Sequence, residues 1–260
     1  MSIFQASAFI SYLLQAKGPH GIHSPFVFEF LHTVLDDSKS YYDFDRIEMQ
    51  RGLLLQDSST IQVTDMGAGS KSGNSTSRSI RSIAKTALKR PKFCRALYRM
   101  AAKQQPRTVV ELGTSLGIST AYLSLAHSGS QMHSIEGCPE ISRRAGELLD
   151  SLNITNCALH VGNFDLKLGP LLESLTNVDL VFIDGNHRLE PTLRYFRQIL
   201  PSCSEETVLV FDDIHWSKEM SDAWEAVKRT SGVTLTIDIF EMGFVFLKPT
   251  LEKQHFVVRY

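Results

Sequence analysis

Residues Thr108–Gly117 read TVVELGTSLG, and the next apolar run, Gln131–Glu136, reads QMHSIE. The first is an apolar strand that carries an acid, Glu111, near its end. It runs into a glycine turn and then into a helix expected over Ile118–His127. The second is another strand, and it ends in Glu136. Such a unit holds a nucleoside-like cofactor, with the glycine turn near its polar tail and the second acid near its ribose hydroxyls. Three residues separate Gly113 from Gly117, which departs from the GxGxxG spacing of dinucleotide sites.

Downstream, apolar strands and amphipathic helices alternate. Further strands are expected over Cys157–Val161, Val178–Asp184, Thr207–Asp213, Thr234–Phe240 and Phe244–Lys248. Helices are expected over Pro139–Ser151, Phe164–Ser174, Pro191–Leu200 and Glu219–Ser231. Alternation of this kind gives a largely parallel sheet covered on both faces. Only Glu241-Met242-Gly243 separates the last two strands, too few residues for a parallel crossover, so that pair must be antiparallel. The expected fold is α/β: a Rossmann-like, seven-stranded, mostly parallel sheet with an antiparallel terminal hairpin, over residues 106–260.

In that order the matches resemble the class I S-adenosylmethionine-dependent methyltransferases over about residues 107–248. ELGTSLG is similar to their first motif, IEGCPE to the acidic end of their second strand, and VGNF (Val161–Phe164) to the motif that meets the adenine. VDLVFIDG and VLVFDD are similar to their fourth and fifth strands. The resemblance implies that Glu111, Gly113, Ser115 and Gly117 line the methionine end of S-adenosylmethionine. It places Glu136 on the ribose and Asn163 at the adenine, with Asp184 beside the cofactor.

The acids at the later strand ends are similar to those of the catechol O-methyltransferase branch. The resemblance implies that Asp184, Asp212 and Asp213 hold a divalent metal, and hard oxygen ligands suit Mg²⁺ or Ca²⁺. Asp213 stands where that branch has Asn. His187 stands where it has a Lys base, and a histidine there can take a hydroxyl proton near neutral pH. His215, in DDIHW, is a further candidate ligand or substrate contact. The implied activity is O-methylation of a small-molecule acceptor. Helix caps and loop anchors are the competing roles for these aspartates and histidines.

Residues 1–105 read as an N-terminal helical extension that covers the substrate. Helices are expected over Ile3–Gln15, Ser24–Leu35, Tyr41–Leu55, Ser77–Lys89 and Lys92–Lys103. The GPHGIHSPF loop, with His20, His23 and Phe26, is either a lid or a buried connector. The DMGAGSKSGN segment (65–74) imitates a first methyltransferase motif but lacks the following acid-ended strand, so it reads as a loop. Together with GPHGIHSPF and the basic stretch, it is similar to a bacterial subgroup of these enzymes.

Net charge is −1, yet residues 66–110 hold no acid and eleven basic residues. Arg78, Arg81, Lys85, Lys89, Lys92, Arg95, Arg99 and Lys103 recur at steps of three or four, which on one continuous helix makes a single basic face. An RNA methyltransferase or RNA-binding protein is therefore the alternative function. Only Phe93 and Tyr98 interleave, so a solvated or packed face is favoured over nucleic acid. Cys94, Cys138, Cys157 and Cys203 form no CxxC, which reads as free thiols in a reducing, cytoplasmic setting. No run is apolar enough to span a membrane, and no basic residue precedes the apolar N-terminal stretch, as a signal peptide would require. A homodimer is left open.

Overall fold

The computed structural model describes residues 2–36, 38–64 and 75–260. The GAGS-type segment (65–74) lies outside them. The chain divides into two compact units, Thr33–Leu171 and Met1–His32 with Leu172–Tyr260.

In the first unit, β3 (Thr108–Leu112), β4 (Gln131–Glu136) and β5 (Cys157–Val161) are parallel neighbours in that order. Helices α6 (Ile118–Ala126) and α7 (Pro139–Ser151) connect them. The strands are buried at Val109, Val110, Leu112, Met132 and Ile135, as two-sided cover requires. α3 (Tyr42–Gln56), α4 (Ile80–Ala87) and α5 (Pro91–Gln104) add Phe44, Ile47, Ile83 and Tyr98 to a core that includes Tyr122 of α6. A two-stranded antiparallel sheet, β1 (Thr60–Thr64) with β2 (Ser75–Ser79), departs from the all-helical expectation for this region. Ile61 and Val63 point inward while Thr60 and Gln62 are exposed, the period-two pattern of a strand with one buried face.

The basic stripe is interrupted. Helix α4 ends at Ala87 and α5 starts at Pro91, whose missing N–H suits a first helical turn. Arg99 is fully buried, and its Nε donates to the Val34 carbonyl at 2.6 Å. Arg95 lies over the Phe44 ring, and Lys103 donates to Thr33. These side chains hold the helices to their neighbours, so the continuous basic face on which the RNA alternative rested does not form.

In the second unit the strand order is β10, β8, β9, β7, β6. The strands are β6 (Val178–Ile183), β7 (Cys203–Asp212), β8 (Leu235–Asp238), β9 (Met242–Phe246) and β10 (Gln254–Val257). β6 and β7 are parallel, and β9 runs antiparallel to both β7 and β8, as the short link demands. β10 pairs parallel with β8 and was not expected. Its burial is incomplete on both faces, so QHFV carries little hydrophobic signal. α9 (Leu189–Ile199) and α10 (Lys218–Arg229) belong to this unit, and α8 (Phe164–Ser174) precedes β6. A glycine is required at 243, because a Cβ there would stand 2.5 Å from the Trp224 ring. The N-terminal helix α1 (Ile3–Gln15) is tied to the C-terminal segment. Tyr12 donates its hydroxyl to the Val258 carbonyl at 2.6 Å, and Lys17 bridges to Val258.

Candidate functional site

In the glycine turn after β3, alternate residues take positive φ. Gly113, Ser115 and Gly117 have φ of 106°, 47° and 84°. At Gly117 two demands coincide. The positive φ disfavours any Cβ, and one placed there would lie 3.2 Å from Ala145 Cβ and 3.3 Å from its Cα. Gly117 is also the N-cap of α6 and offers no side-chain cap, so the positive end of the helix opens onto the turn.

Glu136 faces that turn. Its Oε2 accepts from the Ser115 backbone N–H at 2.9 Å, and its Oε1 accepts from the Cys138 N–H at 2.9 Å. Burial pushes its carboxyl above the ordinary range, while the N–H groups of Cys138, Ser115 and Gly137 pull it back. The residue is half-buried. Each oxygen carries more than one lone pair, so two hydroxyl donors can still be accommodated.

Glu111 has the same position in its motif and a different environment. It is fully buried. Oε1 accepts from the Ser119 hydroxyl at 2.7 Å, and Oε2 accepts from Thr120 at 2.5 Å and Ser134 at 2.6 Å. Burial raises its pKa, the three hydroxyls lower it, and the charge of Glu136 adds to the rise. Glu111 thus ties β3, β4 and the first turn of α6 together from beneath the glycine turn. The hydroxyls of this cage were not singled out in the sequence. Ser119 and Thr120, directly after the helix start, were the available signal.

Asn163 caps the start of α8. Its Oδ1 accepts from the Asp165 N–H at 2.8 Å, and its carbonyl accepts from Leu166 and Lys167.

In the other unit, Asp184 directly follows β6. The register of Ile183 opposite Phe211 sets it level with Asp212. His187 Nε2 lies 3.5 Å from Asp184 Oδ1, an ion-pair contact rather than a well-formed hydrogen bond. Asp212 and Asp213 do not join Asp184 in a metal cluster. Among the described residues no three His, Cys, Asp or Glu side chains gather around one ion position. Asp212 is buried, and Asp213 turns into left-handed backbone at φ 53° with its N–H on the Glu241 carbonyl at 2.6 Å.

His215 is engaged away from Asp212 and Asp213. Its Nε2 meets Asp238 Oδ2 at 2.7 Å, and its Nδ1 meets the Ser221 hydroxyl at 3.3 Å. Its ring stacks on Phe240, which itself takes φ 71° and packs against Phe9 and Tyr12 of α1. Asp238 was missed in the sequence because it sits inside the strand expected over Thr234–Phe240. Phe26 packs edge-on against Phe246 and His23 is exposed, so the Gly/Pro loop contributes its phenylalanine to the sheet face. The four cysteines are free, and burial pushes the thiols of Cys94 and Cys157 up to about 12 and that of Cys203 up to about 11. Thiols held so far above neutral pH are not nucleophiles. No helix among the described residues is long and apolar enough to cross a membrane.

Residues 110–214 match a family described as a methyltransferase domain. Among curated proteins, the chain is 27% identical over 128 residues to the uncharacterized protein R132 of Acanthamoeba polyphaga mimivirus. That match takes in 45% of this chain and 57% of the viral protein, so the chain spans little more than half the length of that relative. Among solved structures, the chain is similar to the O-methyltransferase of Streptomyces achromogenes involved in tomaymycin synthesis, in complex with S-adenosylmethionine. There the TM-score is 0.54 at 20% identity, over 62% of this chain and 82% of that one. It is also similar to the O-methyltransferase of Bacillus cereus in complex with S-adenosylhomocysteine, with a TM-score of 0.57 at 15% identity over 85% and 97% of the two chains. At these identities the likeness is one of fold: the chain has the Rossmann-like fold of O-methyltransferases.

Proposed function

We propose that the protein is an S-adenosylmethionine-dependent methyltransferase that acts on a hydroxyl oxygen of a small molecule. The observation that carries this reading is the pairing of Glu136 with the turn at Ser115 and the uncapped start of α6 at Gly117. A half-buried carboxylate suits a pair of vicinal hydroxyls. An open helix N-terminus suits a carboxylate. S-adenosylmethionine presents both groups at opposite ends, and its sulfonium supplies an already activated methyl.

The chain's own residues then have defined tasks. Glu136 accepts the ribose hydroxyls. The N–H groups at the start of α6 receive the methionine carboxylate. Asn163 presents its remaining amide donors to the adenine. Glu111 touches no ligand; it fixes the turn from below. His187 takes the acceptor's proton, and the Asp184 carboxylate beside it stabilises the imidazolium that results. Alignment of acceptor and methyl contributes several kcal/mol to such a step, on the order of the gains seen in well-oriented intramolecular reactions. Among the described residues Asp184, Asp212 and Asp213 do not gather around one ion position, so the metal is not assigned a part. Isothermal calorimetry with S-adenosylmethionine and S-adenosylhomocysteine tests the reading. Micromolar binding of both is expected, and failure to bind either overturns it.

A further inference from the structure

The outer face of α1 has no role in the site above, and it is built unlike a solvated surface. From Ser2 to Ala16 there is no charged residue. Tyr12, at the centre of the inner face, is buried and anchored by Val258 and by the Tyr260 N–H at 3.2 Å. A capping box between Ser2 and Gln5 closes the helix start. The helix is therefore fixed, and its opposite face is presented rigidly. That face carries Ile3, Ile10, Leu13 and Leu14, which are 92%, 59%, 41% and 84% exposed. Its polar member, Ser7, is small.

We propose that this face is a homodimer interface, in which α1 of one copy packs antiparallel on α1 of a second. Ile3, Ser7, Ile10 and Leu14 recur at four, three and four residues, the spacing of a coiled-coil seam. The midpoint of the seam falls between Ser7 and Ile10. A two-fold axis there sets Ser7 of each copy against Ile10 of the other, and Ile3 against Leu14. Small faces large at the centre, so the backbones can approach closely.

At roughly 200 Å² for a fully exposed large side chain, the four exposures leave about 500 Å² of apolar surface per copy. A pair buries about 1,000 Å², the threshold for a specific interface before its polar rim is added. A membrane surface is the competing occupant of an apolar helix. Interfacial helices carry Lys and Arg on their polar face, and α1 has none.

Four measurements on the full chain test the proposal. Light scattering after size exclusion should give a dimer at micromolar concentration. Ile10→Glu/Leu14→Glu should give a monomer with unchanged circular dichroism, its dissociation constant raised by about 100-fold or more. Residues 3 and 14 are about 16 Å apart within one helix, so Ile3→Cys/Leu14→Cys can join them only between copies. Oxidation should yield a covalent dimer that the wild type does not form. A wild type that stays monomeric at 100 μM, a dimer that survives the double glutamate substitution, or failure to cross-link each overturns the proposal. So does a monomer that floats with vesicles of phosphatidylcholine and phosphatidylglycerol.

Discussion

Replacing Gly117 by Ala separates two physical demands on the cofactor turn. The first is backbone conformation: a φ of 84° costs a residue with a Cβ about 1–2 kcal/mol. The second is space. The new Cβ would lie 3.2 Å from Ala145 Cβ and 3.3 Å from its Cα, inside the roughly 3.5–4.0 Å at which carbon atoms rest. Relief by displacement of α7 costs about 1–3 kcal/mol. Gly117→Ala should therefore lose about 2–5 kcal/mol, or roughly 4–10 °C in melting temperature for a chain of this size. Ala145→Gly alone should cost about 1 kcal/mol through helix propensity. In the double variant the contact with the Ala145 Cβ disappears, while the contact with its Cα at 3.3 Å and the conformational part remain. The pair should then be about 1–2 kcal/mol more stable than the sum of the single effects predicts. Urea titrations of all four proteins, followed by circular dichroism, measure the cycle. A Gly117→Ala protein within about 0.5 kcal/mol of wild type, or a cycle additive to that margin, refutes the reasoning.

Glu136→Gln removes one of two acceptor oxygens and the charge. Hydrogen bonds to a charged group contribute about 1.5–3 kcal/mol, so S-adenosylhomocysteine should bind about 10- to 100-fold more weakly by calorimetry; equal affinity would exclude Glu136 from the ribose. Burial raises the Glu136 pKa above its ordinary 4.5 and the ionised form is the acceptor, so affinity should fall as pH drops, beginning above pH 4.5. Glu111 is likewise raised above 4.5, and its protonated form is therefore the one favoured by folding. Relative to Glu111→Gln, wild-type stability should rise as pH falls through the raised folded pKa toward 4.5, and should be lowest near neutral pH; parallel stability curves would contradict this. His187→Asn should lower turnover by about 10²- to 10⁴-fold, read as S-adenosylhomocysteine release with a panel of small hydroxylated acceptors. Its affinity for S-adenosylhomocysteine should stay within about twofold, and near-normal turnover would remove His187 from the proton transfer.

The strands and helices nearest the cofactor turn were legible because their signals are local. β3, β4, β5, α7 and α8 fall on the expected bounds, since each apolar run stops at a glycine, a proline or an acid. β7 begins earlier than expected, at Cys203, because SEE is polar and the strand there is half-covered. β2 and β10 were missed for the same reason: short strands with little apolar content draw their pairing from neighbours rather than from their own composition. The basic stripe misled in the opposite direction. Its periodicity is real, but Pro91 divides it, and Arg99 is committed to a carbonyl that no local pattern announces.

The site shows how far a motif can carry the argument. Glu111 and Glu136 look equivalent in the sequence, each an acid at the end of an apolar strand. Register tells them apart. Glu111 pairs with Ser134, two residues short of Glu136 along β4. At that lower level it meets the hydroxyls of Ser119 and Thr120 from α6 and of Ser134 from β4, and both of its oxygens are engaged inside the fold. Glu136 stands one step above the last residues paired between β3 and β4, level with the turn, where only backbone N–H groups reach it. An offset of two residues along one strand face, about 7 Å, thus separates a structural acid from one that can meet a ligand. Exchanging the two environments would require moving the strand register, which would carry every buried side chain of β4 with it.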